Sequence, residues 1–282
     1  MTGPTTPTGP TAPAAERWLA WEPERGLVTR PDLGAPGLLA ADSWLVEDGR
    51  VRALELHQER FTAACLELGL QRRAVDRFWA AVTAELPRVG VWFPRVELRV
   101  GGRLGLRLRP APPRTHSVKV FPWTPGDPRT VPHRKGPDLA LLADLRAGAQ
   151  ARGADDALLS TESGELIESA TASLLWWSQG ALCRPAAHGQ LSSVTARLIA
   201  RQAESLGIAV HRRPAKLAEL ADCEAWLVNA LHGIRPVTHW VGTEYQAGQA
   251  ERALRWRRLL SGLTQALPTT RQVSAPTDGG HP

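Results

Sequence analysis

Lys119, Lys135 and Lys216 are the only lysines among 34 basic residues. An arginine neither forms an imine nor releases its proton near neutral pH, whereas a lysine amine tuned by its surroundings does both. Lys119 falls in a predicted strand with Val118 and Val120 on the opposite face, and Lys216 sits beside Arg213 and Pro214 as a solvated surface charge does. Lys135 follows a proline-rich stretch and directly precedes a predicted helix, where it is either a surface cation or a reactive amine. Arg60 comes three residues after His57, so both project from one helix face. Ser193, Val194 and Thr195 open another predicted helix, whose free N–H groups and dipole attract an anion; plain N-capping by Ser193 accounts for the same residues. Glu168 ends a short predicted strand and by itself reads as a solvent-facing hairpin carboxylate.

These residues need elements to hold them. The Asp48-Gly49 pair between Ser43–Val46 and Val51–Leu54 signals a hairpin, and apolar spacing predicts helices from His57 to Leu68 and from about Ala74 to Leu86. Pro94–Val100 and Leu104–Leu108 read as a second hairpin around Gly101-Gly102, and Ser117–Phe121 as a further strand. Pro122, Pro125, Pro128 and Pro132 exclude a central strand or helix and mark a connection between two units. Beyond it the pattern predicts a helix over Asp138–Ala151, strands at Ala157–Ser160, Leu166–Glu168 and Ser173–Trp177, and a helix over Val194–Leu206. A strand at Val210–Arg212, a short helix at Lys216–Leu220, a strand at Ala225–Val228 and a closing helix over Ala247–Leu263 complete it. The division expected is a disordered tail over 1–15, a small α+β domain over 16–122, a connection over 123–133, a larger α/β domain over 134–267 and a second tail over 268–282.

Several stretches share one order. They are His57-x-x-Arg60, Lys135 after His133-Arg134, Gly153-Ala154-Asp155-Asp156-Ala157, Gly164-Glu165-Leu166-Ile167-Glu168, Leu191-Ser192-Ser193-Val194-Thr195 and Asn229-Ala230-Leu231-His232-Gly233-Ile234-Arg235-Pro236-Val237. In that order and spacing, from about Ser43 to Val237, they resemble the signature of the class IV aminotransferases, the pyridoxal 5′-phosphate (PLP) enzymes of fold type IV. The resemblance implies a two-domain α+β fold and a Schiff base (internal aldimine) between PLP and Lys135. It also implies Glu168 on the pyridine nitrogen, Arg60 with Ser193, Val194 and Thr195 around the phosphate, Leu191 against the ring, and Asn229 and Ala230 nearby. The substrate implied is a small amino acid or amino-carboxylate, with Lys135 moving the proton at its Cα. An identical partner subunit is implied as well, with the site near the interface.

Three departures bear on the reaction. The family's glycine in the turn before the threonine is Ser193, with Ala196 after it; its asparagine beyond the glutamate strand is Ser173; and an aromatic lining is replaced by Ala41-Asp42-Ser43. A small, acidic lining predicts a polar pocket and leaves two enzyme readings: a specialised transaminase, or a relative of the 4-amino-4-deoxychorismate lyases with Ser43 as the proton-donating hydroxyl. A scaffold without cofactor turnover is the third. Arg95, Arg99 and Arg114 on the predicted sheet are candidate contacts for a substrate carboxylate, although alternating arginines on an exposed sheet face are the commoner explanation; His232 and Arg235 lie close to the implied site, and one of them is a candidate substrate contact.

Composition narrows the rest. Net charge +6 raises the question of nucleic acid, but the arginines are scattered rather than clustered or interleaved with aromatics, which argues against it. Cys65, Cys183 and Cys223 are too far apart for a paired zinc-ligand spacing or a disulfide framework. No apolar run is long enough to span a membrane, and the first residues lack the order of a signal peptide, so a cytoplasmic protein is expected. Trp176 and Trp177, adjacent in a strand, must face opposite sides.

Overall fold

The structure is a computed structural model that describes residues 15–32, 37–123 and 126–268. The expected tails therefore lie outside the described residues, apart from Ala15 and Pro268.

The first half runs β1 (Arg17–Glu22), β2 (Gly26–Arg30), β3 (Leu38–Ser43), β4 (Val46–Glu47), β5 (Arg50–Arg52), α1 (Leu54–Glu67), α2 (Arg72–Glu85), β6 (Val91–Trp92), β7 (Arg95–Arg99) and β8 (Arg103–Leu108). The Asp48-Gly49 hairpin forms as expected, both residues at positive φ (46° and 69°), with Val46 opposite Val51. Its second strand stops at Arg52, because Leu54 already starts α1. Five strands in the order β2-β1-β8-β7-β3 form one sheet. Phe61 and Cys65 from α1, with Val75, Phe78, Trp79 and Val82 from α2, pack with its Leu98 and Leu106 in one core. These α2 residues recur at three- and four-residue spacing, as an amphipathic helix requires.

The second half continues with β9 (Val118–Pro122), α3 (Leu139–Gln150), β10 (Asp156–Ser160), β11 (Leu166–Ser169), β12 (Ser173–Ser178), β13 (Ala181–Pro185), α4 (Val194–Ser205), β14 (Val210–Arg213), a 3-10 turn at Leu217–Leu220, β15 (Ala225–Asn229), β16 (Gly233–Trp240), α5 (Ala253–Gly262) and β17 (Thr264–Ala266). Eight strands make one mixed sheet, β11-β10-β9-β16-β15-β12-β13-β14. Trp176 packs with Leu174 and Cys183 on one face, and Trp177 meets Ile199 of α4 and Trp256 of α5 on the other.

Three differences have identifiable causes. β16 is a strand where none was expected; it holds Pro236, but pairing with β9 begins only at Val237, so the missing N–H costs that ladder nothing. The closing helix starts at Ala253 rather than Ala247, because the buried carboxylate of Glu224 accepts the N–H groups of Arg252 and Ala253 at 3.0 Å and fixes its first turn. After that helix the chain returns to the first half: β17 pairs with β5 and Leu267 enters the first core. Among the described residues, no helix is long and apolar enough to cross a membrane.

Candidate active site

One cavity of about 520 Å³ lies where the connection, β3, α3, the start of α4 and the β15–β16 turn converge. Lys135 lines it from the connection. The Lys135 carbonyl accepts the Ala41 N–H of β3 at 2.7 Å, and Gly136 follows at φ 141°, where a Cβ would stand 2.7 Å from Ala40 Cα. Only glycine permits that approach, so this contact fixes the root of the lysine. Buried Asp138 stiffens the same segment by accepting the Thr130 and Val131 N–H groups at 3.0 and 2.9 Å. Removal from water, reinforced by the charge of Arg60, pushes the Lys135 amine down to about 8.

Glu168, at the end of β11, is buried on the cavity wall. Its Oε1 accepts Arg129 Nη1 at 2.5 Å and the Leu191 N–H at 3.1 Å, and Asp127 grips the same arginine at 2.7 Å. Oε2 takes no hydrogen bond from a described residue. Burial pushes this carboxyl upward, against the pull of Arg129.

Arg60 reaches the cavity from α1. Its Nε and Nη2 donate to both oxygens of Asp42 at 2.7 and 2.8 Å, and its Nη1 donates to the Ser192 carbonyl at 3.0 Å, which places the guanidinium at the mouth of α4. His57 Nδ1 donates to the same carboxylate at 2.8 Å. Burial opposes ionisation of Asp42, but Arg60 and His57 together, through charge and hydrogen bonds, outweigh it and hold the carboxyl well below its usual range. Ser193 caps α4 by accepting the Ala196 N–H at 3.2 Å, and Val194 and Thr195 line the cavity at the first turn. Asn229 donates to the Thr171 carbonyl at 3.2 Å and accepts the His232 N–H at 2.8 Å, which orders the neighbouring turn.

The pattern of the class IV amino-transferases matches residues 39–240, most of the chain and all of this cavity's catalytic candidates. The chain belongs to that family. Its members are PLP-dependent transaminases and related lyases. No curated protein matches the sequence. Among solved structures, a fold IV-transaminase from Curtobacterium pusillum is 22% identical with a TM-score of 0.69, covering 87% of this chain and 97% of its own. A hypothetical aminotransferase from Mycobacterium tuberculosis, in its PLP-bound form, is 18% identical with a TM-score of 0.71, over 88% and 98% of the two chains. The branched-chain amino acid aminotransferase of Escherichia coli is 15% identical with a TM-score of 0.73, over 93% and 97%.

The donors present suit the family's cofactor. A guanidinium beside a helix N-terminus suits a phosphate, a buried carboxylate with one oxygen unbonded suits a ring N–H, and the cavity amine of Lys135 suits an aldehyde. Lys135, Glu168, Arg60, Leu191, Ser193, Val194, Thr195, Asn229, Ala230, Ser43 and His232, all singled out in the sequence, line this one cavity. Arg99 and Arg235 do not. Arg99 turns its Nε to Glu97 at 2.7 Å, and it is Arg95, four residues earlier on the same strand face, that lines the cavity. Arg235 is buried in β16, 3.7 Å from Asp156. The acidic lining expected from Asp42 is also corrected: that side chain is fully buried against His57 and Arg60, and only Ser43 opens to the cavity. Sequence reasoning passed over Arg129, Arg109 and Arg146; nothing local marks them in a chain so rich in arginine.

Proposed function

We propose that this enzyme is an aminotransferase for a small amino acid or amino-carboxylate, with its cofactor held on Lys135. The carrying observation is that Lys135, Glu168, Arg60 and the N-terminus of α4 share one cavity. When bound, PLP supplies an aldehyde for amines and a ring that accepts electron density from the substrate's Cα. Lys135 Nζ, already easy to deprotonate, takes the proton from that carbon and returns it elsewhere. Glu168 would hold a proton at the ring nitrogen, its carboxylate kept oriented by Arg129. Arg60 and the N-terminal N–H groups of α4 would hold the phosphate, and Leu191, tied to Glu168 through its N–H, would lie beside the ring. In the lining, Arg60, Arg95, Arg129 and Arg134 are paired with carboxylates, while Arg109, Lys135 and Arg146 have no ion pair with a described residue, a balance that attracts anionic amino acids.

Ser43 supports a second reading, amine elimination of the 4-amino-4-deoxychorismate type, because its residue opens into the cavity beside Lys135. Supplying an amino donor with 2-oxoglutarate, and separately aminodeoxychorismate, distinguishes the two: the first reading yields a new 2-oxo acid, the second releases pyruvate. The visible absorbance of protein mixed with PLP is expected to vanish in Lys135→Ala. A wild-type protein that remains colourless would remove both readings and leave a non-catalytic scaffold. Glu168→Ala is expected to keep PLP but lose most turnover. We also propose a homodimer, to be checked by sedimentation.

A further inference from the structure

We propose that His232 and Arg146 form a carboxylate subsite of the cavity, the imidazole offering a neutral Nε2–H and the guanidinium the counter-charge. The inference rests on the reading above and adds to it the residues that recognise the substrate's acid group. His232 sits in the turn between β15 and β16, and its ring Nδ1 accepts the Thr115 N–H at 3.1 Å. A backbone amide nitrogen can only donate there, so Nδ1 carries a lone pair and the ring's one proton is on Nε2. Burial, reinforced by Arg235, Arg146, Arg114 and His116, pushes this histidine down to about 4 and keeps the ring neutral at pH 7. The leading charges acting on it are all positive.

Arg146 lines the same cavity from α3. Its Nε donates to the Asp155 carbonyl at 3.1 Å, which fixes the plane of the guanidinium, while the Asp155 carboxylate is turned to the Lys119 N–H at 2.7 Å. No carboxylate of a described residue lies within ion-pair distance of Arg146. A neutral N–H donor and a cation from two different elements thus line the same cavity, and no carboxylate of a described residue pairs with either. A carboxylate satisfies both; an amide offers an acceptor oxygen without the charge, and an alkyl group offers neither.

The test uses PLP-loaded protein with ¹⁵N-labelled histidine, titrated with pentanoate and, as control, pentanamide. The His232 resonances should report the Nε2–H tautomer, and pentanoate should bind about fivefold or more tighter than pentanamide. Arg146→Gln, on a half-buried helix position, should erase that preference. His232→Gln places an amide N–H near the Nε2 position and should retain it within about threefold, whereas His232→Asn should lose it. An Nδ1–H tautomer, equal binding of the two probes, or an unchanged preference in Arg146→Gln would overturn the proposal. Absorbance of the same samples separates the two failures: colourless protein sinks the cofactor reading, while the histidine shifts still report on the subsite.

Discussion

Two buried charges dominate the residue scale, and each carries a pH signature. Lys135 titrates near 8 in the fold against 10.5 for an ordinary lysine, so between those values the unfolded chain holds a proton that the folded one has released. Stability of the cofactor-free protein therefore rises as pH climbs from about 8 towards 10.5, and the burial cost is fully present below 8. Lys135→Met is expected to raise unfolding stability at pH 7 by roughly 1–3 kcal/mol, with the gain shrinking from about pH 8 and largely gone near pH 10.5. Urea titrations at both pH values check it; equal gains at both would contradict the burial argument. Asp42 works in the opposite sense. Its depressed carboxyl means that the unfolded chain takes up the proton first on acidification, so its contribution is complete above about pH 4 and is lost below. Asp42→Asn strips the charge from beneath Arg60 and His57 and should cost roughly 3–5 kcal/mol at pH 7, measured by the same titration.

At the scale of elements, the site depends on one close approach. The connection lies against β3 because Gly136 has no side chain to meet Ala40, and the 2.7 Å bond from Ala41 N–H to the Lys135 carbonyl seals the contact. Gly136→Ala adds a methyl at that distance on a backbone with φ 141°, so strain and overlap combine. Folded protein with PLP affinity reduced about tenfold or more is expected, because Lys135 is displaced while the sheet survives. Spectrophotometric PLP titration together with circular dichroism reads both; unchanged affinity would mean that the approach has no role in placing the amine.

For the whole molecule, the last described strand ties its two halves together. β17 pairs with β5 through Thr264↔Arg52, Gln265↔Val51 and Ala266↔Arg50, and Leu267 lies 3% exposed in the first core. Leu267→Ala should therefore destabilise by about 2–4 kcal/mol although it sits far along the chain from the helices it supports. Thermal unfolding of the variant measures this, and a loss within error would show that the return of the chain is ornamental to stability.

Local physics made much of this legible in the sequence. The Asp48-Gly49 turn, the apolar spacing of Phe61, Cys65 and Leu68, and the scarcity of lysine each depend on a few consecutive residues or on side-chain chemistry alone, and the ordered run from His57 to Val237 carried the family. Distant partners decided the rest. That Asp42 serves Arg60 instead of lining the pocket, that Glu224 starts α5, that Arg95 rather than Arg99 meets the cavity and that Arg129 braces Glu168 all follow from contacts between residues far apart in the chain. One arginine among many looks like any other until packing decides which is removed from water beside a carboxylate, since burial and pairing are properties of the fold and not of the residue.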